Sequence, residues 1–405
     1  MSEHLSAADV PQGFSFAATN CGLKPSRPDL GILISETRAA AAAVFTTNLV
    51  VAAPVIASRE HLKRSRRRMR GVIVNSGNAN CCTHEDGYPA AVATARRLAE
   101  ELGGTDGSQF IVCSTGVIGA PLRVDKILSA IPQLVQTRSA DPAAFEEFAR
   151  AIMTTDTRPK WAASRSRIGG KQVRVLGCAK GSGMIQPNMA TMLSFIATDA
   201  AVTAPVLQRA LRSAVDGTFN CITVDGDTST NDTVAIFANG QSGAPKISKG
   251  AGKDYADFLA ALERVCRELA VAIVADGEGA QRVIEIEVRG AASDAAARRI
   301  ARTIANSPLV KTAFAGADPN WGRILAAAGR AGAEFDPRRT NIWIGGVAVC
   351  RGGREMNFDE RAAHEKMLAK TVHVRIELGS GIGTARMWTC DFTQEYVRIN
   401  ASYRT

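Results

Sequence analysis

Residues 180–196 read Lys180-Gly181-Ser182-Gly183-Met184-Ile185-Gln186-Pro187-Asn188-Met189-Ala190-Thr191-Met192-Leu193-Ser194-Phe195-Ile196. A glycine-rich turn and a proline lead to small Ala190, then to a threonine that opens an apolar, strand-like run. A loop delivering a hydroxyl onto a strand edge is the geometry an N-terminal nucleophile needs, because backbone strain there exposes a scissile carbonyl. An ordinary loop entering a strand fits the same residues, since an alanine-threonine pair is common at such a place. The segment by itself leaves both readings open.

Other chemistries are less well supplied. The five histidines, at positions 4, 61, 84, 364 and 373, are scattered, and none flanks an evident nucleophile. His373 sits among valines on an alternating run, where a structural role is expected. Cys81, Cys82 and His84 are the densest group of soft ligands, but they lack a second ligand pair, so no zinc site is expected. Gly379-Ser380-Gly381-Ile382-Gly383 follows a strand without a helical pattern behind it, which denies it the context of a dinucleotide loop. Lys180-Gly181-Ser182-Gly183 reverses the order of a phosphate-binding loop. Both read as tight turns.

The elements that must position these residues are legible in part. Val72-Ile73-Val74, Phe110-Ile111-Val112 and residues 173–176 are short apolar runs that predict strands. Ile284-Glu285-Ile286-Glu287-Val288 and Val372-His373-Val374-Arg375-Ile376 alternate with period two, which predicts strands with one face against a core and one toward water. Thr203 and Pro205 ahead of Val206, Leu207, Ala210, Leu211 and Val215 predict a capped amphipathic helix. A second stripe, Phe258, Leu259, Leu262, Cys266, Leu269 and Ile273, is closed by Gly277, and a third helix over 295–304 opens behind Ser293. Residues 39–58 carry no charge, yet Thr46-Thr47-Asn48 and Pro54 argue for a buried β-rich segment rather than a membrane span. Residues 239–253, rich in glycine, serine and lysine, read as a loop. Strands mixed with helices, many of them alternating, predict layered mixed sheets in place of one all-parallel sheet.

A chain of 405 residues with 46% hydrophobic side chains exceeds one small core and affords several packed layers or two domains. Its formal charge of +10 raises the question of nucleic acid. Only Lys63-Arg64-Ser65-Arg66-Arg67-Arg68-Met69-Arg70 is dense, and no aromatic residue interleaves it, so a solvated face is expected there. A general positive potential also gathers small anionic substrates. Nine cysteines without a C-x-x-C pair predict buried thiols in a reducing cytoplasm. Met1-Ser2-Glu3-His4 is acidic and precedes no apolar run, so no secretory signal is expected.

Ala190-Thr191-Met192-Leu193 closely resembles the cleavage motif of the bifunctional ornithine acetyltransferase/N-acetylglutamate synthase family, whose members split between the alanine and the threonine. The likeness continues in order along nearly the whole chain. Val44-Phe45-Thr46-Thr47-Asn48, Asn75-Ser76-Gly77-Asn78-Ala79-Asn80, Ser114-Thr115-Gly116-Val117-Ile118-Gly119 and Thr154-Thr155-Asp156-Thr157 resemble its signatures. So do Asp225-Gly226-Asp227-Thr228-Ser229-Thr230-Asn231-Asp232, Asp276-Gly277-Glu278-Gly279-Ala280, Asp318-Pro319-Asn320-Trp321-Gly322-Arg323 and Tyr396-Val397-Arg398-Ile399-Asn400. Two places depart from the family pattern: Cys81-Cys82-Thr83-His84 replaces smaller residues, and the basic run at 63–70 is extra. Neither falls on a matched site.

The resemblance implies a chain that cuts itself into fragments 1–190 and 191–405. The Thr191 hydroxyl attacks the Ala190 carbonyl, the peptide shifts to an ester, and hydrolysis frees an α-amine on Thr191. With an ordinary pKa of about 7.7–8.0, that amine serves as general base for its own hydroxyl, so no histidine is required. By resemblance, the oxyanion donors are the Thr115 hydroxyl and the Gly116 N–H, and the substrate-contacting residues are Thr154, Lys180, Thr191, Glu278, Asn400 and Thr405. Lys180 suits a carboxylate and Glu278 an ammonium group.

The implied reaction moves acetyl from N-acetylornithine to Thr191 and then to glutamate; bifunctional members also take acetyl from acetyl-CoA. No metal or tightly held cofactor is implied. The implied architecture is a mixed α/β, four-layer αββα sandwich with a smaller C-terminal lobe, its two fragments assembling as two copies of each. The partners implied are small molecules, with no nucleic acid and no membrane. Two rival expectations are a related self-cleaving aminopeptidase, which passes its acyl group to water, and a basic nucleic-acid-binding protein resting on the 63–70 run.

Overall fold

The computed structural model describes residues 5–186 and 192–402. Eight strands form a large sheet: β1 (Phe14–Thr19), β2 (Leu30–Phe45), β3 (Arg68–Asn78), β4 (Phe110–Val117), β5 (Lys160–Ile168), β6 (Lys171–Lys180), β7 (Leu193–Thr198) and β8 (Thr233–Ala238). Their order is β4-β3-β2-β8-β7-β6-β5, with β1 paired to β2. Only β3/β4 and β7/β8 run parallel, so the sheet is mixed. Six helices accompany it: α1 (Ala53–Arg64), α2 (His84–Glu101), α3 (Val124–Gln136), α4 (Pro142–Ala151), α5 (Ala204–Asp216) and α6 (Lys253–Ala275).

The long strand β2 lets one sheet act as two. Its residues 30–34 pair with β1 and β3, whereas 40–45 pair with β8. Between them the register to β3 shifts and Glu36, Thr37 and Arg38 are exposed, which bends the strand. The two wings turn inner faces onto one shared core, Phe16, Leu33, Val72 and Ile111 from the first and Leu176, Phe195 and Phe237 from the second. Phe145 and Phe148 of α4 fill the seam. Phe145 meets Phe16 edge-on at 4.9 Å, and Phe148 lies 5.8 Å from Phe195. Outside, α2 and α3 cover Ile32, Ile73, Phe110 and Val112, while α5 and α6 cover Val44, Val175, Ile196 and Ile236. The layers therefore run helices, strands, strands, helices.

A second sheet builds the smaller lobe from β9 (Val283–Ala291), β10 (Asn341–Ile344), β11 (Val347–Arg351), β12 (Arg354–Glu355), β13 (Thr371–Glu377) and β14 (Gly383–Cys390), in the order β12-β11-β10-β13-β9-β14. Ile286, Val288, Val374 and Ile376 turn toward α7 (Asp294–Ala305), α8 (Pro308–Ala315) and α9 (Trp321–Gly329). Their strand neighbours face outward, with His373 paired to Glu285 at 3.0 Å. Two further helices, α10 (Glu360–Met367) and α11 (Gln394–Ser402), complete the lobe.

Several local expectations are corrected. Residues 39–58 are strand only through Phe45; Pro54 sits in the first turn of α1, where its missing N–H costs nothing, so it starts a helix. Thr203 precedes α5 but makes no capping hydrogen bond with its side chain, leaving Pro205 to set the start. Ser293 does cap α7, its hydroxyl accepting the Ala296 N–H at 3.2 Å. The helix before Gly277 already ends at Ala275. The basic run is not one solvated face, since Arg67 and Arg70 are half-buried and Met69 is buried. Of the nine thiols, Cys82 is exposed and Cys21 only partly covered. No helix among the described residues is long and apolar enough to cross a membrane.

Candidate active site

The parallel strands β3 and β4 end side by side, with Gly77 opposite Gly116. Gly116 has a φ of +134°, and a Cβ built on it would lie 2.3 Å from the Gly77 carbonyl carbon, so only glycine presents its N–H at this spot. Asparagines hold the strand ends in place. The Ser114 hydroxyl donates to Asn75 Oδ1 at 2.6 Å, and Asn231 Nδ2 donates to the carbonyls of Ala79 (2.6 Å) and Ser114 (2.8 Å). Lys180 Nζ donates to Thr115 Oγ1 at 3.2 Å, which leaves the Thr115 proton free to point at another acceptor.

Below this pair lies a buried charge hub. Lys160, wholly buried at the start of β5, donates to Asp156 Oδ1 at 2.6 Å and to Asp276 Oδ2 at 2.5 Å. Asp156 also accepts the N–H groups of Gly181 (2.7 Å) and Thr154 (2.9 Å), and Asp276 accepts both the N–H and the hydroxyl of Thr157. Burial opposes charge on Asp156, yet the Lys160 and Lys180 ammoniums outweigh it and hold that carboxyl well below the usual range. The hub ties the 154–157 segment, the 180–183 turn and the 276–278 turn to one point. Sequence reasoning missed Lys160; its spacing of four from Asp156 was the only local signal.

Glu278 is buried, its N–H donating to the Ser182 carbonyl at 3.0 Å and its Oε2 accepting Asn400 Nδ2 of α11 at 2.7 Å. Gly183 passes so close that a Cβ there would lie 2.5 Å from the Glu278 carboxylate. Burial lowers the pKa of the Lys180 ammonium, against the pull of Asp156 and Asp232. Asp232 stands at the foot of β8 beside Met192, whose carbonyl accepts the Thr233 N–H at 3.0 Å. Burial raises the Asp232 carboxyl well above the usual range, and its Oδ2 has no hydrogen-bond partner among the described residues. Asp225 accepts the N–H groups of Met184 (2.6 Å) and Ile185 (2.8 Å), fixing the backbone of the turn after Gly183. Asp225, Asp232 and Tyr396 fall within signatures named above but had been given no role.

Thr115, Gly116, Thr154, Lys180, Glu278 and Asn400 line one cavity of about 260 Å³. Met192 and Leu193 line it too, so the chain comes to this cavity one residue after Thr191. Ala190, Thr191 and Thr405 lie outside the described residues. The strand itself begins at Leu193, two positions past the threonine that was expected to open it. A cavity this small suits an amino-acid-sized ligand, and walls of both charge signs suit one bearing a carboxylate and an ammonium.

The sequence matches the profile of the ArgJ family over residues 15–405. The arginine biosynthesis bifunctional protein ArgJ of Thermotoga neapolitana is 47% identical over 400 residues, spanning 98% of this chain and 100% of that protein. Its namesake from Brucella suis is 45% identical over 408 residues, spanning 100% of this chain and 98% of that protein. The crystal structure of arginine biosynthesis bifunctional protein argJ from Bacillus halodurans matches with a TM-score of 0.51 and 44% identity, covering 53% of this chain and 100% of that one. With six of its matched residues lining one cavity and its likeness extending over residues 15–405, the chain belongs to the ArgJ family.

Proposed function

We propose that this chain is a self-cleaving glutamate N-acetyltransferase of arginine biosynthesis, carrying acetyl on Thr191 from N-acetylornithine to glutamate. The observation that carries the reading is the convergence of Thr115, Gly116, Lys180, Glu278 and Asn400 on one small cavity beside the strand that follows Thr191. The relatives' name, arginine biosynthesis bifunctional protein, supports the pathway and a second donor, which we take to be acetyl-CoA. The Bacillus halodurans chain matches along its full length yet spans 53% of this one. That share of 405 residues is about 215, the length of a 191–405 fragment.

In this reading the freed α-amine of Thr191 takes the proton from its own hydroxyl, and Oγ attacks the acetyl carbonyl of N-acetylornithine. The Thr115 hydroxyl and Gly116 N–H donate to the resulting oxyanion, with Lys180 fixing Thr115 through its oxygen. The C–N bond breaks, the α-amine returns the proton to the leaving ornithine nitrogen, and acetyl stays on Thr191 as an ester. The amine of glutamate then attacks that ester, and Thr191 Oγ leaves with the proton. Glu278, held by Asn400, receives the substrate ammonium.

Rapid quenching after mixing with N-acetylornithine is expected to leave one acetyl on the fragment beginning at Thr191, which glutamate then discharges as N-acetylglutamate. Transfer at full rate without acetyl on that fragment would show direct transfer instead. Ornithine release without N-acetylglutamate would favour the aminopeptidase-like alternative, in which water takes the acyl group.

A further inference from the structure

Arg59 and Lys63 of α1, Arg66 and Arg67 of the turn after it, and Arg212 of α5 converge on a groove of about 500 Å³ that has Phe45 in its wall. No acidic residue lines it among the described residues. Arg67 is half-buried, and burial together with the like charge of Arg212 depresses the pKa of its guanidinium. Its Nη1 donates to a neutral partner, Gln208 Oε1, at 2.6 Å. Arg59 lies over the Phe45 ring at 5.5 Å and donates to the Thr46 carbonyl at 2.9 Å. Arg66 and Arg67 have φ values of +50° and +60°, two consecutive residues in the left-handed region that glycine and asparagine favour.

A solvated basic face requires none of this, because free lysines and arginines spread apart in water. Here backbone strain, partial desolvation and like-charge crowding coincide, and no carboxylate among the described residues lines the groove to offset them. An anion held in the groove would offset this crowding. Forked guanidiniums fit phosphate oxygens, and five cations in one pocket outnumber what a single phosphate balances. The volume falls within the range of small-molecule sites. Arg64 lines a separate pocket with Glu60 and Tyr88, which Lys63 also reaches, and Arg70 donates to the Ser35 carbonyl. A second groove shares Phe45, Arg59 and Arg212 and runs along residues 46–51. Thr46 on its wall donates to the carbonyl of Ser229, a residue of the catalytic cavity, at 2.7 Å.

We propose that the Arg59-Lys63-Arg66-Arg67-Arg212 groove binds the phosphates of a small polyphosphate ligand of the nucleotide class. Calorimetric titration of the full protein with pyrophosphate, ADP and coenzyme A tests it. All three are expected to bind, and the double variant Arg67→Gln/Arg212→Gln is expected to weaken each by at least roughly tenfold while acetyl transfer from N-acetylornithine to glutamate is unchanged. Equal affinity for ADP and coenzyme A assigns the groove to nucleotides in general; tighter coenzyme A assigns the adjoining groove to its acyl-bearing arm. Arg66→Gly removes a charge while relieving the left-handed backbone, so it is expected to bind more weakly yet melt at a higher temperature. Failure of pyrophosphate and ADP to bind at millimolar concentration overturns the proposal, as does undiminished binding by Arg66→Gly or the double variant. An RNA oligonucleotide bound under salt conditions where ADP is not bound would assign the cluster to a macromolecule instead.

Discussion

Thr115 touches the proposed chemistry through a single proton. Lys180 occupies its oxygen from behind, so the hydroxyl hydrogen is left to meet the oxyanion. Thr115→Val keeps the shape and removes the donor, and it is expected to lower kcat by roughly 10²–10³-fold with little change in KM for N-acetylornithine. Steady-state kinetics on the cleaved variant decide it, and an unchanged kcat would remove Thr115 from the oxyanion site. Lys24 gives a second residue-scale test, because its Nζ donates to the Met153 carbonyl beside Thr154. Burial lowers its pKa to about 8, against the pull of Asp29 and Asp156. Since the folded value lies below the unfolded 10.5, the unfolded chain holds more protons between the two, and stability rises with pH across that window. Lys24→Met is expected to lack this rise in urea unfolding at pH 7.5 and pH 10; a wild-type advantage that shrinks at the higher pH would contradict the sign. Chemistry of this kind was unevenly legible. Thr115, Gly116, Thr154, Lys180, Glu278 and Asn400, which line one cavity, could be singled out because they sit in short signatures. Lys160 and Asp232 could not, because their weight comes from burial, which only tertiary closure creates.

Helix α11 is the element that brings Asn400 to Glu278. Nothing in its amphipathic pattern marks it as part of a site; only the resemblance did. Asn400→Ala leaves the Glu278 carboxylate short of one donor and is expected to reduce kcat/KM for N-acetylornithine by about 5- to 150-fold, equivalent to roughly 1–3 kcal/mol, with cleavage at Thr191 intact. Equal kcat/KM in variant and wild type would make α11 a mere cover. Among elements, β9 and β13 were readable because one face meets a core and the other water, which imposes a period of two. The 39–58 segment was misread since the same uncharged composition serves a buried strand up to Phe45 and a buried helix from Ala53, and Pro54 marks a helix start as readily as a break. The bend in β2, which turns one sheet into two layers, has no sequence signal beyond the exposed Glu36, Thr37 and Arg38.

At the scale of the whole molecule, the proposed cut runs through a shared sheet. Strand β6 of the first fragment pairs with β7 of the second, and β2 pairs with β8. Phe148 of the first fragment packs against Phe195 of the second in the common core. The proposed cleavage would thus free an amine without releasing a fragment, and the two pieces are expected to copurify under native conditions and separate only when unfolded. On this proposal the strand pairing across the cut is what keeps the new chain end with the rest of the fold. The most direct measurement is intact mass on denatured protein, for the wild type and for Thr191→Ala. Self-cleavage predicts fragments 1–190 and 191–405 from the wild type and a single 42.8 kDa chain from the variant. An uncut wild type that still transfers acetyl, or a Thr191→Ala variant cut at the same bond, would contradict it.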